Sequence, residues 1–272
     1  MKLETDCVLG KFILHEAEME LKMNTEKFTG RALAYEKYRP SYPMEFIDYL
    51  YTHAGFKQES IIADIGSGTG ILSSQLLERG NRVIGVEPNE DMRRTAEKNL
   101  TGYSNFHSVA GADENTTLSD GSIDFITVAQ AFHWFDIEGF KKECRRILKP
   151  EGKVVLVWNS RVADSKIVME NAEICQRLCP AFKGFSGGEK NDTGAFMSFF
   201  RDGIFENINF ENNMEYNPDN FIGRNLSASY APKPGEDNFN LFVSELTELY
   251  EKYEKDGKVV LPNITRCYIG RV

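Results

Sequence analysis

The sequence predicts an α/β fold with a doubly wound, mostly parallel sheet. Two observations lead to this prediction. Short apolar segments typical of strands alternate with amphipathic segments typical of helices between residues 60 and 159. With 272 residues, of which 41% are hydrophobic, the chain is long enough for one large domain with a smaller cap. The order of the strands in the sheet does not follow from this pattern.

The first strand, helix and second strand are predicted in residues 60–88. "SIIADI" is a short apolar strand, and "GILSSQLLERG" places its apolar residues at helical spacing. That helix is expected to end at Gly80, because glycine favours the left-handed conformation that commonly follows a helix. "RVIGVE" is the second strand and ends at an acidic residue.

The alternation continues to residue 159. Asn89 is a plausible cap for a helix in "NEDMRRTAEKNL", and "IEGFKKECRRILKPEG" predicts a helix stopped by Pro150 and Gly152. The three further strands predicted in this part of the chain are "NFHSVAG", "SIDFITVAQ" and "KVVLVWN".

The regular alternation of strands and helices ends after Asn159. "IFENINFE" alternates apolar and polar residues as a half-buried strand does, "DNFNLFVSELTELYEKYEKDG" predicts an amphipathic helix, and "NITRCYIGRV" a closing strand. We therefore divide the chain into an N-terminal extension, a ligand-binding core, a helical and irregular cap that includes a sheet strand, and a C-terminal helix with the closing strand of the core. The corresponding ranges are 1–27, 28–159, 160–235 and 236–272.

Composition and charge disfavour several classes of partner. The formal net charge of −9 disfavours nucleic acid. The five cysteines are odd in number and scattered, which predicts reduced thiols in a cytoplasmic protein, and no metal-ligand spacing links them to the four histidines. Charges interrupt the N-terminal apolar positions, and no apolar run approaches the roughly 20 residues of a membrane helix. We expect no signal peptide, no metal and no membrane partner.

A glycine-rich loop, Gly66-Ser67-Gly68-Thr69-Gly70, links the first strand to the first helix of the core. Glycines there allow a ligand to approach the backbone amides. A dinucleotide fingerprint would need its third glycine at Ile71, and a P-loop would need a lysine after Gly70. Asp64, just before the loop, would also repel a pyrophosphate. Neither phosphate-binding motif fits.

"ADIGSGTG" resembles the first motif of class I S-adenosylmethionine-dependent methyltransferases, and "RVIGVEPNEDM" resembles their second strand with its ribose-binding acid. The likeness covers residues 28–159 with strong motifs and the remainder more loosely, and it points to the small-molecule subgroup called type 11 methyltransferases. Further segments that carry it are "GADENTTLSDGSIDFITVAQAFHWFD", "LKPEGKVVLVWN", "FTGRALAYEKYRPSYP" and "LYEKYEKDGKVVLPNITRCYIGRV". The resemblance implies a Rossmann-like sheet of seven strands with a last antiparallel strand, S-adenosylmethionine as cofactor, a small-molecule acceptor, and a monomer or homodimer.

The chemistry of the cofactor agrees with these residues. A carboxylate at Glu87 can accept both ribose hydroxyls. By resemblance, Asp64 and the loop amides hold the amino-acid tail, with Asp64 near its ammonium group directly or through water. Ala112 and Asp113 hold the adenine edge, and Gln130 faces the sulfonium. Arg31 or Tyr35 would close over the cofactor near its carboxylate, and Met92 would cover adenine unless it packs in the core. The full predicted cofactor set is Arg31, Tyr35, Asp64, Gly66, Ser67, Gly68, Thr69, Gly70, Glu87, Pro88, Met92, Ala112, Asp113 and Gln130.

The acceptor side is less specific. His133 is the sole histidine at the predicted active edge and therefore the candidate base, although a histidine that packs or bonds to the backbone is the stronger interpretation. At least one of the aromatic residues in "FHWF" is expected to pack in the core. Arg161 could pair with an acidic substrate or be a surface arginine. The predicted acceptor-binding set is Trp134, Phe135, Trp158, Asn159, Arg161 and Tyr230.

The favoured function is methyl transfer to a small molecule, and a small carboxylic acid is one acceptor of that kind. One alternative is a protein that binds the same cofactor without catalysis. Another is a nicotinamide-dependent oxidoreductase, which the glycine spacing disfavours. A nucleic-acid or protein methyltransferase is a further alternative, but the sequence has no Asn-Pro-Pro-Tyr-like motif and no basic tract for a nucleic-acid acceptor.

Overall fold

The computed structural model describes residues 39–185 and 193–272, and a seven-stranded sheet forms its centre. The strands lie in the order β3-β2-β1-β4-β5-β9-β6. Their bounds are β1 Ile61–Ile65, β2 Arg82–Val86, β3 Phe106–Val109, β4 Ile123–Ala129, β5 Leu148–Arg161, β6 Phe205–Glu211 and β9 Asn263–Gly270. Two short strands, β7 (Met214–Tyr216) and β8 (Val259–Leu261), form a separate antiparallel pair.

The last strand, β9, runs antiparallel to its two neighbours at one end of the sheet. Strands β1 to β5 pair in parallel, whereas β9 inserts between β5 and β6 and pairs with both in antiparallel register. The prediction of a doubly wound, mostly parallel sheet of seven strands with a last antiparallel strand is confirmed. The strand order was not predicted, because it depends on contacts between segments far apart in sequence.

Helices cover both faces of the sheet. Alternation along β5 sends Val154, Leu156 and Trp158 into one apolar cluster and Val155 and Val157 into the other. The helices of the described chain are α1 Met44–Thr52, α2 Ile71–Glu78, α3 Glu90–Asn99, α4 Ile137–Ile147, α5 Lys166–Leu178, α6 Thr193–Phe199, α7 Pro218–Leu226 and α8 Phe239–Tyr253. Helices α1 and α2 pack on the Val155 face, and α4 and α6 on the Trp158 face.

A third apolar cluster forms beside the sheet. It joins α5, α7 and α8 to the β7–β8 pair, with Phe221, Phe242 and Leu246 fully buried at its centre. The C-terminal segment is therefore shared: α8 packs in this third cluster, while β9 completes the sheet. We call the α5, α7, α8 and β7–β8 layer the cap.

Local signals account for most boundaries. The Asn89 side chain accepts a hydrogen bond from the Met92 amide at 3.0 Å and caps α3 as predicted. Gly80 follows α2 with φ of +90°. One boundary was predicted wrongly: α4 ends at Ile147, and Pro150 and Gly152 lie inside the irregular start of β5, where the register with β4 shifts. No helix among residues 39–185 and 193–272 has the length and apolar character needed to cross a membrane.

Candidate functional site

The glycine loop lies where the winding of the sheet reverses. From β1 the chain proceeds to β2 and β3 on one side, whereas β4 and β5 lie on the other side. In open α/β sheets the crevice beside such a reversal, at the carboxyl ends of the strands, is the usual ligand-binding position. The loop of residues 66–70 leaves β1 at this edge and leads into α2.

The three glycines of the loop are required for different reasons, although all have positive φ, +69° at Gly66, +56° at Gly68 and +84° at Gly70. A Cβ on Gly66 would lie 2.6 Å from the Ala131 Cβ, and one on Gly70 would lie 2.8 Å from Leu100 Cδ1. A Cβ on Gly68 would meet no atom within 4 Å. Only at Gly68, therefore, does the loop leave open space beside its backbone.

Backbone hydrogen bonds fix the loop against β2. The amides of Gly66 and Ser67 donate to the Val86 carbonyl at 2.8 and 3.2 Å, and the Gly70 amide donates to the Ser67 carbonyl at 3.0 Å. Thr69 is buried. The loop is thus held in a tight turn by its own hydrogen bonds. Because it is already ordered, binding of a ligand would cost less conformational entropy.

Asp64 lies beneath the loop and is 1% exposed. Ser73 Oγ donates to its Oδ2 at 2.6 Å, and Thr127 Oγ1 donates to its Oδ1 at 2.8 Å. Burial raises the pKa of Asp64 to about 6, against the two hydroxyl hydrogen bonds, which lower it. Because each oxygen is engaged and the carboxylate is enclosed, Asp64 ties β1, β4 and α2 together. This geometry does not favour the direct form of the predicted contact with a cofactor ammonium, and the water-mediated form stays a prediction.

Glu87 follows β2 and faces the loop. Its Oε2 accepts the Gly68 amide at 2.9 Å and its Oε1 accepts the Asn89 amide at 2.8 Å. Burial raises the pKa of Glu87, and these two amides oppose that rise. The carboxylate is therefore oriented at the open side of Gly68, and each oxygen retains capacity to accept a further hydrogen bond. Pro88, the next residue, is exposed at the rim.

The structure changes the prediction for the adenine side. The Ala112 amide donates to the Asn115 carbonyl at 3.1 Å and is therefore already used, which argues against Ala112 as the backbone donor. Asp113 Oδ2 accepts the Asp136 amide at 3.1 Å. Burial and repulsion from Glu114 raise the pKa of Asp113 to about 7. Met92 is 3% exposed, as expected of a packing residue.

Gln130 has a strained backbone at the end of β4, with φ of +60°. Its amide donates to the Val157 carbonyl at 2.9 Å, and its Nε2 donates to the Asn159 carbonyl at 3.1 Å. Both bonds go to β5, which holds Gln130 in a conformation that non-glycine residues rarely adopt. Such strain is concentrated at functional sites, which supports the placement of Gln130 at the reactive edge.

The segment after Gln130 forms a single 3₁₀ turn, Phe132–Trp134. Phe132 is 4% exposed and packs edge-on against Trp158 and Phe199, so the expectation that one of these aromatics lies in the core is confirmed. Trp134 and Phe135 are half-buried, and Phe135 lies against Gly66.

His133 is exposed, and its Nδ1 faces the indole N–H of Trp158 at 3.5 Å. Desolvation lowers the pKa of the imidazole below its ordinary value. Although the residue as a whole is exposed, Nδ1, the nitrogen that accepts the hydrogen bond in this arrangement, faces the buried indole of Trp158. Both features weaken the case for His133 as a general base.

We expect the His133 imidazole to titrate below 6.5, the ordinary value for histidine. The ring would then be neutral at pH 7, and a reaction that needs it as a base would lose rate only at pH values below that pKa. NMR titration of the ring protons measures the midpoint, with His133→Gln used to assign the signal. A midpoint at or above 6.5 would contradict the geometry.

Comparison with known proteins finds a match in the part of the chain that forms this edge of the sheet. A family model described as a methyltransferase domain matches residues 63–156. That range runs from β1, through the glycine loop and Glu87, into β5. Residues 63–156 are therefore similar to a methyltransferase domain.

Relatives of known sequence match about half of the chain. An uncharacterized methyltransferase of Mycobacterium tuberculosis is 39% identical over 144 residues, which cover 53% of this chain and 56% of the relative. A candidate methyltransferase of Dictyostelium discoideum is 34% identical over 134 residues, 49% of each chain. The chain thus spans about half the length of the curated relatives it matches.

Solved structures share the fold over a longer span. A candidate type II methyltransferase from Anaeromyxobacter dehalogenans superposes with a TM-score of 0.62 at 22% identity, covering 86% of this chain and 97% of the other. A candidate methyltransferase from an antibiotic biosynthesis pathway of Anabaena variabilis gives 0.61 at 18% identity, covering 85% and 98%. At these identities the likeness extends to the fold alone.

On the acceptor side of the methyltransferase domain, two predicted contact residues are structural. Trp158 is 2% exposed and packs in the sheet cluster, so it does not line a pocket. Asn159 is 7% exposed: its Nδ2 donates to the Ser41 carbonyl at 3.1 Å, and its Oδ1 accepts bonds from Thr265 and Asn212. Asn159 therefore joins the segment before α1 to β9, and its side chain has no group left for an acceptor. Sequence reasoning missed this because the partners are distant in the chain.

Two further residues of the predicted acceptor set, Arg161 and Tyr230, lie near each other. Arg161 is 7% exposed and lies at the end of β5. Tyr230 is close enough for its hydroxyl and the Arg161 guanidinium to shift each other's pKa. Arg161 is therefore not the surface arginine that was the alternative. Arg31 and Tyr35 lie outside the described residues.

Several residues of the site were not predicted. Ser73 and Thr127 hold Asp64, and the Asn89 amide holds Glu87. A signal for Thr127 does exist in the sequence: it is a hydroxyl residue within an otherwise apolar strand, and buried polar groups require a partner. Asn225 and Phe185, which contact Arg161, carry no such local signal.

Proposed function

We propose that the chain is an S-adenosylmethionine-dependent methyltransferase that acts on a small-molecule acceptor. The observation that carries this proposal is the pairing of the open side of Gly68 with the oriented Glu87 carboxylate. A carboxylate held by two amides suits a vicinal diol, which offers two hydroxyl donors. The same carboxylate would repel the pyrophosphate of a nicotinamide dinucleotide if that group lay over the loop.

The residues present fit this cofactor. Glu87 would hold the ribose hydroxyls, and the loop beside Gly68 would admit the cofactor against its backbone. Asp64, with its oxygens on Ser73 and Thr127, supports the loop from below. Asp113 remains the proposed side-chain contact on the adenine side.

When bound, S-adenosylmethionine supplies a methyl group that is already activated on a sulfonium. The chain's contribution is to orient the acceptor and exclude water, and orientation alone can contribute about 7–11 kcal/mol in favourable cases. Gln130, held at positive φ by two bonds to β5, and the half-buried Trp134 and Phe135 form the rigid edge against which an acceptor would lie. His133 would serve as a base only if the acceptor must lose a proton.

Calorimetric titration of the purified chain with S-adenosylmethionine, S-adenosylhomocysteine and NAD tests the cofactor. We expect the first two to bind and NAD to give no heat of binding. Binding of NAD instead, or of none of the three, would remove the basis of the proposal. A methyl-donor turnover assay against a panel of small acids and amines then separates an enzyme from a non-catalytic binder, which would bind the cofactor but consume none of it.

A further inference from the structure

Arg161 is a buried cation without a carboxylate partner among the described residues. Its Nη2 donates to Asn225 Oδ1 at 3.3 Å, and its Nη1 is buried with no hydrogen-bond partner in residues 39–185 and 193–272. A buried guanidinium left in this state is costly, because it has lost its hydration without gaining an opposite charge.

Among the described residues, the groups that act on the charge of Arg161 include a second cation and no carboxylate. Burial lowers the pKa of its guanidinium to about 10, and repulsion from Arg224 acts in the same direction. The groups that oppose this are Tyr230, Cys175 and Tyr216, none of which is a carboxylate. The neighbouring amide cannot compensate, because Asn225 Oδ1 also accepts a hydrogen bond from Asn171 at 3.1 Å.

A cavity of about 630 Å³ opens beside this arginine. Its charged lining residues in the described chain are Arg161, Lys183 and Arg266, all of them cationic, although the chain as a whole carries 41 acidic and 32 basic residues. The Phe185 ring lies 3.8 Å from the Arg161 guanidinium carbon, and Phe182 forms further apolar wall. A cationic cavity with aromatic walls in an acidic protein suits a small organic anion.

The cavity also lies at the carboxyl ends of the strands, at the same edge of the sheet as Gln130. Arg161 ends β5, and β5 pairs with β4, whose carboxyl end carries Gln130. The Gln130 side chain reaches the Asn159 carbonyl, two residues before Arg161. The anion cavity and the reactive edge thus share one strand.

We propose that this cavity anchors the methyl acceptor and that the acceptor is a small organic acid whose carboxylate is bound by Arg161. This inference rests on the proposed function for naming the occupant as the acceptor, whereas the binding of the anion itself does not depend on methyl transfer. Phe182 and Phe185 favour an acid with an apolar or aromatic body. Arg161 is a binding residue here, retained at a cost in stability that an apolar side chain would not incur.

The test measures anion binding to the full chain by calorimetry. The probes are benzoate, phenylacetate and inorganic phosphate, with benzamide as the neutral counterpart of benzoate. We expect a carboxylate of this panel to bind and benzamide to bind at least tenfold more weakly. Phosphate binding without carboxylate binding, or no preference of the chain for benzoate or phenylacetate over benzamide, would overturn the proposal.

Variants locate the anion at Arg161. We expect Arg161→Met to lower carboxylate affinity by tenfold or more while the melting temperature stays equal or rises, because an uncompensated buried charge has been removed. Arg145→Met, at an exposed position on α4, makes the same change in net charge and should leave carboxylate affinity unaltered. Unchanged carboxylate affinity in Arg161→Met, or a marked fall in its melting temperature, would assign Arg161 a structural role instead.

Cofactor titration of the same variants separates the two proposals. Arg161→Met is expected to bind S-adenosylhomocysteine with the affinity of the unaltered chain, since Arg161 makes no contact with the glycine loop or Glu87 among the described contacts. Loss of carboxylate binding with retained cofactor binding supports the acceptor site. Absence of cofactor binding in the unaltered chain would count against the proposed function, while the carboxylate measurements would still decide the anion site.

Discussion

Glu87→Gln is expected to weaken binding of S-adenosylhomocysteine by about 10- to 150-fold, since a hydrogen bond to a charged group contributes about 1.5–3 kcal/mol. The substitution removes the charge and replaces one acceptor oxygen with a donor. Gly68 and Asn89 both present amide N–H groups to this side chain, so the new NH₂ group must also face one of them. Both effects reduce the capacity of residue 87 to accept two ribose hydroxyls.

Calorimetry measures this loss directly, and a melting curve shows whether the variant is folded. Glu90→Gln is a matched control, because Glu90 begins α3 only three residues later, is exposed and pairs with Arg94. Its cofactor affinity should equal that of the unaltered chain. Equal affinity in Glu87→Gln would remove Glu87 from the cofactor site and with it the observation on which the proposed function depends.

The second prediction compares two glycine substitutions in the same loop, one expected to affect mainly stability and the other mainly cofactor binding. Gly66→Ala should lower the free energy of unfolding by about 2–5 kcal/mol, from left-handed strain of about 1–2 kcal/mol and overpacking of about 1–3 kcal/mol. The overpacking arises because the new Cβ would lie 2.6 Å from Ala131. Gly68→Ala has the same type of strain without the clash, so it should cost about 1–2 kcal/mol.

The order should be reversed for cofactor affinity. Gly68→Ala, the less destabilised of the two variants, should lose more affinity than Gly66→Ala. The Cβ of Gly68→Ala enters the open space beside the loop, where the cofactor is proposed to lie, so this variant should remain folded and lose affinity. Urea unfolding and calorimetry on both variants test the pair of expectations. A Gly68→Ala variant that binds S-adenosylhomocysteine normally would show that the open side of the loop is not the ligand side.

The parts of the site that were predictable from sequence are those encoded by neighbouring residues. The alternation of strands and helices predicted the sheet, and the spacing of Gly66, Gly68 and Gly70 predicted a non-phosphate loop. The position of Glu87 at the end of its strand predicted an acid at the same edge, because the carboxyl ends of parallel strands lie together. The Asn89 cap is a contact over three residues and was equally readable.

The tertiary structure decided which of the predicted groups are available to a ligand. Asp64 satisfies its oxygens with Thr127, 63 residues away, and Asn159 meets Thr265 across 106 residues. Trp158 was predicted to contact the acceptor, but alternation along β5 and the packing of α4 and α6 bury it.

Arg161 shows the same division between sequence and structure. The sequence by itself determined a class I methyltransferase-like core and a cation at the end of its fifth strand. Only the packing of the cap, with Asn225 and Phe185 around the guanidinium, decided that this cation is buried without a carboxylate partner in the described chain. The physical reason is that burial and hydrogen-bond satisfaction depend on contacts between distant segments, whereas strands, turns and caps depend on residues close in sequence.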